Sequence, residues 1–100
     1  MLFRSPEGST EEFRDPSGDL AMAEVHLDVS WIGERVSSIE AASGGRIAFI
    51  TRYGHGLLPT SETVFQDGDL VHMVVPVKDR ERISQLLGSD RRSLTQAGES

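Results

Sequence analysis

Ala21-Met22-Ala23-Glu24-Val25-His26-Leu27-Asp28-Val29 is the stretch on which the fold turns. Its apolar members Ala21, Ala23, Val25, Leu27 and Val29 alternate with Met22, Glu24, His26 and Asp28, the two-residue period of a strand with one buried face. Ser30 follows in the position of a helix N-cap. Ile32, Val36 and Ile39 then recur at i, i+4 and i+7, which predicts a helix to about Ala42, stopped by Gly44-Gly45.

Beyond the glycines, Arg46-Ile47-Ala48-Phe49-Ile50-Thr51-Arg52 predicts a second strand. It is apolar on both faces at its centre, as expected where a sheet is covered on both sides. Tyr53-Gly54-His55-Gly56 reads as a turn and Leu57-Leu58-Pro59 as a short extended return. Thr63-Val64-Phe65 and Leu70–Val77 read as the strands of a hairpin joined by Gln66-Asp67-Gly68-Asp69. Asp79 is placed to cap a short helix that buries Ile83, Leu86 and Leu87 and ends at Gly88. The order strand, helix, strand, short strand, hairpin, helix predicts an α+β domain: a small, mostly antiparallel sheet with two helices.

Residues 1–19 are predicted to be a tether, because Ser5–Thr10 and Asp15–Asp19 are rich in turn-forming residues. Phe3 and Phe13 are the apolar exceptions there. Residues 89–100 are polar without an apolar period and are predicted to be a disordered tail. The folded unit is therefore expected over residues 20–88, and 100 residues suffice for one domain.

Composition narrows the function. No apolar run approaches the ~20 residues needed to cross a bilayer, so direct membrane insertion is not expected. The absence of cysteine excludes a disulfide framework, a thiol nucleophile and a zinc finger, and is compatible with a reducing cytoplasm. A net charge of −6 argues against a nucleic-acid partner, which would call for a basic stripe. Gly44-Gly45 and Gly54-His55-Gly56 match neither the dinucleotide fingerprint nor the Walker loop. No serine stands in a nucleophile elbow. Nothing in the sequence proposes a reaction, so an enzyme is not expected.

His26, His55 and His72 show no helical metal spacing, and no metal site is predicted. Asp67-Gly68-Asp69 lacks the further ligands of a calcium loop and is complete as a turn. Trp31 either covers a helix–sheet seam or anchors a second subunit. Arg46, Arg52 and His55 surround one apolar strand. They are either solvated strand-end charges or an anion site, with guanidinium groups bracketing a phosphate while Ile47 or Phe49 meets an apolar base.

Taken in order, Ala21–Gly88 resembles the C-terminal regulatory domain of the RCK (regulator of potassium conductance) proteins, the TrkA-C domain. The matching pieces are Ala23-Glu24-Val25, Trp31-Ile32-Gly33, Ile39, Arg46–Gly54, Leu58-Pro59, Thr63, and Phe65-Gln66-Asp67-Gly68-Asp69-Leu70-Val71. The resemblance implies an α+β unit that forms a homodimer and hangs from a Rossmann nucleotide-binding domain. It further implies a place on the cytoplasmic side of a membrane-embedded potassium transporter or channel, which the unit gates. Some such domains bind cyclic di-AMP at the dimer interface. By that resemblance Ile39, Ala42, Arg46, Ile47 and Phe49 are candidate ligand residues, joined by Arg52 and His55 from the basic trio. Trp31 and Arg35 are assigned to the dimer interface. The glycine-rich nucleotide-binding half is missing, so no NAD or ATP cofactor is expected, and residues 1–19 read as the linker that would follow it. The competing expectation is a purely structural dimerisation domain without a ligand.

Overall fold

The computed structural model describes residues 9–92. Five strands form one antiparallel sheet: β1 Ser9–Arg14, β2 Leu20–Val25, β3 Arg46–Arg52, β4 His55–Leu57 and β5 Leu70–Pro76. Their spatial order is β1-β2-β5-β3-β4. Two helices, α1 Val36–Ser43 and α2 Arg80–Leu87, complete the α+β fold that the sequence predicts.

The alternation in β2 puts Ala21, Ala23 and Val25 on the buried face, where Ala23 and Val25 share a core with Val71, Met73 and Val75 of β5. Val36 and Ile39 of α1 and Ile83 and Leu87 of α2 close the same core, with Leu86 only partly buried. In β3 the register slips between Ile47 and Phe49, leaving Ala48 as an extra residue. Ile47 and Ile50 therefore both reach the core, while Phe49 lies opposite His72 on the other face. A β-bulge, and not a second covering layer, accounts for the apolar run in this strand.

The tether prediction needs correction. Residues 9–14 form an edge strand, and Asp15–Asp19 is the hairpin loop that joins it to β2. The Asp15 carboxylate accepts from Ser17 N, Ser17 Oγ and Leu20 N, and Gly18 takes φ 81°. The turn chemistry was visible, but Ser-Thr-Glu-Glu-Phe-Arg carries no apolar alternation because an edge strand buries little. Residues 1–8, with Phe3, lie outside the described residues, as do residues 93–100 of the expected tail. Within that tail, Arg91 N donates to Ser30 Oγ at 2.7 Å, so residues 89–92 are not uniformly without contacts.

Three local boundaries also move. The first helix begins at Val36, because Asp28 caps a single 3-10 turn over Val29–Trp31 and Gly33 at φ 95° interrupts the path. Its C-terminus is as expected: Gly44 is left-handed at φ 84° and its N–H bonds Glu40 O. Thr63–Phe65 does not pair with β5; only Val64 makes an isolated bridge, to Arg35. The hairpin instead joins β3 to β4 through Tyr53 and Gly54, both at positive φ (52° and 78°) with Arg52 opposite His55, the two-residue turn whose twist suits a hairpin.

Candidate functional site

The two ends of β3 do different things. At its start, Arg46 is exposed and makes no ion pair or side-chain hydrogen bond among the described residues. The segment before it is firmly held: Glu40 accepts from Ile47 N at 2.9 Å, Ser43 Oγ accepts from Gly45 N, and Arg82 donates to Ser43 O. Gly45 is needed here, since a Cβ would lie 2.9 Å from Met73 Cε, 3.0 Å from Val75 Cγ1 and 3.3 Å from Val74 O.

At the other end, Arg52 is committed to the fold. Its Nε and Nη2 donate to the two Asp69 carboxylate oxygens at 2.9 and 2.8 Å, and Nη2 also donates to Val64 O at 2.9 Å. Asp69 additionally accepts from Gln66 N at 2.9 Å and its side chain is fully buried. Burial pushes the Asp69 carboxyl up, but the bonds from Arg52 and Gln66 and the Arg52 charge outweigh it, leaving it below the usual Asp range. Arg52 thereby pins the 64–69 loop against β3.

The anticipated trio does not converge on one anion. Arg46 and Arg52 are six residues apart on β3, roughly 20 Å at ~3.3 Å per residue. His55 is exposed on edge strand β4, across the turn from Arg52. Among the remaining expected ligand residues, Ile39 and Ile47 are in the core (0% and 8% exposed), Ala42 is exposed at the end of α1, and Phe49 is partly exposed. Arg46, Ala42 and Phe49 are therefore the ones a ligand could touch, but Phe49 is on the open face of the sheet and Ala42 on α1, on the helix side.

Trp31 is 2% exposed and packs within the core, so it covers the seam and does not present an anchor to a second subunit. Its Nε1 is buried with no hydrogen-bond partner among the described residues. Arg35 is exposed and lies 3.5 Å from Glu62. The accessible apolar side chains nearby are Val29, Ile32 and Leu70, which line a groove of about 230 Å³ with His26 and Phe65.

The face of the sheet away from the helices holds a group that sequence spacing did not reveal. His72 stacks on Phe49 with ring centroids 4.1 Å apart and 13° between planes. Its Nδ1 lies 3.0 Å from a Glu12 carboxylate oxygen, and Glu24 is opposite it in the β2–β5 register. Glu12, Glu24 and His72 place ligand atoms within 4.8 Å of one another, a convergence in space that helical spacing of the histidines does not register. The sequence signal was slight, namely that Glu24 and His72 both occupy outward positions of alternating strands.

An antiparallel sheet in the order β1-β2-β5-β3-β4 with two helices defines the class, and solved RCK structures share it. A crystal structure of the GsuK RCK domain superposes with a TM-score of 0.66 at 22% identity, covering 82% of this chain and 18% of that one. A GsuK channel structure gives 0.65 at 23% identity, covering 82% and 15%. The Trk system potassium uptake protein TrkA of Streptomyces coelicolor is 41% identical over 78 residues, 78% of this chain. This chain spans 35% of the length of that curated relative. No family model matches the sequence. Fold and sequence together place the chain among the RCK C-terminal (TrkA-C) domains. Among the described residues, no helix is long and apolar enough to cross a membrane.

Proposed function

We propose that the chain is a regulatory module of a potassium transport system, acting on a membrane-embedded transporter or channel from its cytoplasmic side. The observation that carries this reading is the 41% identity to the TrkA potassium uptake protein. A separate Rossmann nucleotide-binding domain is a partner in the same reading. In the same reading the module works as a homodimer.

Its ligand in this proposal is a small anion such as cyclic di-AMP, bound at the dimer seam by Arg46 with Phe49, both carried by β3. Arg46 supports the reading because its guanidinium is exposed and unpaired among the described residues. A ligand shifts such a module only if it binds two dimer arrangements with different affinity, which a ligand touching both copies of a symmetric seam can do. Calorimetric titration with cyclic di-AMP tests it: saturable heat at one ligand per dimer, abolished in Arg46→Ala, is expected. Flat heats with a dimer intact by light scattering would favour the second reading, a structural dimerisation domain without ligand. That reading draws support from Ile39, Ile47 and Arg52, whose side chains are already used by the fold.

A further inference from the structure

We propose that Glu12, Glu24 and His72 form a binding site for a divalent transition-metal ion on the open face of the sheet. The three residues come from three neighbouring strands, β1, β2 and β5. Glu24 sits directly opposite His72. Glu12 is the extra residue where the β1–β2 register slips between Glu11 and Phe13; such a bulge re-aims a side chain, and here the carboxylate passes over β2 to β5. Both of its oxygens lie near His72 Nδ1, at 3.0 and 3.1 Å.

His72 has the setting of a prepared ligand. It is 7% exposed, its ring is fixed by the stack on Phe49, and its Nε2 is 3.3 Å from Thr51 Oγ1. A partner on the far ring nitrogen is what orients a metal-binding imidazole. The charge around it is unbalanced: Glu12 and Glu24 pair with no Lys or Arg among the described residues, and Glu24 makes no hydrogen bond or ion pair there at all. Two carboxylates drawn together over a buried imidazole repel each other, and a divalent cation neutralises both.

One nitrogen and two oxygen donors suit zinc or manganese better than calcium or magnesium, which take oxygen ligands. Metal–donor distances of about 2.0–2.1 Å set tetrahedral donors about 3.4 Å apart. The His72–Glu12 pair is already at 3.0 Å, and the whole set lies within 4.8 Å. Closing it takes a rotamer adjustment of Glu24, leaving a fourth position open to solvent. A carboxylate only accepts, so Nδ1 carries the ring proton towards Glu12 in the unloaded site. On binding, the ion takes the place of the Nδ1 proton while Nε2 keeps its contact with Thr51 Oγ1. The ion ties edge strand β1 to the centre of the sheet.

The test is calorimetric titration of the EDTA-treated full chain with Zn²⁺, with Mn²⁺ binding followed in parallel by electron paramagnetic resonance. One ion per chain is expected, weakened at least tenfold in Glu24→Gln and in His72→Gln and unchanged in the His26→Gln/His55→Gln double variant. Far-UV circular dichroism checks that each variant is folded, and the half-buried Glu24 keeps the test decisive if His72→Gln unfolds. Absence of saturable binding overturns the proposal. So does binding that survives Glu24→Gln, or that disappears in the His26/His55 double variant, since the ion would then sit on surface histidines.

Discussion

Replacing Arg52 by alanine removes three hydrogen bonds at 2.8–2.9 Å, two of them to a carboxylate with a fully buried side chain. Taking one partner from a buried ion pair costs about 3–5 kcal/mol, because the other charge stays behind unpaired. Arg52 itself is 24% exposed and Asp69 keeps the bond from Gln66 N, so water and backbone relieve part of the loss. About 3 kcal/mol is therefore expected, a large share of the ~5–15 kcal/mol that holds a domain folded. At about 4–8 °C per kcal/mol for a domain of this size, the melting temperature should fall by roughly 12–24 °C. Urea denaturation followed by circular dichroism measures the energy directly. The Arg52→Ala/Asp69→Ala double variant should lose much less than the sum of the two single variants, giving a coupling of about 2 kcal/mol or more. The pair also has a pH signature. The folded-state Asp69 carboxyl lies below its ordinary value, so its stabilisation is complete above the unfolded-state pKa of about 3.9 and is lost as pH falls through the lower folded value. The acid limb should flatten in Asp69→Asn. A loss under about 0.5 kcal/mol in Arg52→Ala, or additive single variants, would refute the idea that this pair pins the 64–69 loop.

Trp31 is the sole tryptophan and is buried, so its emission should be blue-shifted, resist iodide quenching and stay unchanged on dilution through any dimer dissociation. Trp31→Ala should cost about 3–5 kcal/mol in denaturant melts as a core cavity. Gly45→Ala crowds Val75 Cγ1 and Val74 O as well as the movable Met73 Cε, and should lower stability by about 1–3 kcal/mol in the same assay. Gly54→Val meets no neighbour but sits at φ 78°; a loss of about 1–3 kcal/mol from backbone strain alone is expected.

Local signals carried the elements whose burial follows a regular period. The alternation Ala21-Ala23-Val25 defined β2, the Ile83 and Leu87 spacing defined α2, and Gly44 fixed the end of α1. A strand with one buried face or a helix with one apolar stripe writes its period into the chain. The edge strand Ser9–Arg14 buries too little to do so, and its sequence reads as a tether. The Thr63–Phe65 segment reads as a strand because Phe65 is apolar, yet its backbone partners are Gly33 and Glu34 on the loop before α1 and Val36 at the first residue of α1. No local pattern distinguishes a ladder from such contacts.

The same limit divides the candidate sites. By itself the sequence determined the α+β class, the absence of thiol chemistry, and the ordered pattern that links the chain to RCK C-terminal domains. Which charges are spoken for was decided by the tertiary structure. Arg52 and Asp69 meet across 17 positions and Glu12 and His72 across 60, distances over which no spacing rule operates. Sheet register and one bulge in each of β1 and β3 choose those partners, because a shift of one residue sends a side chain to the opposite face.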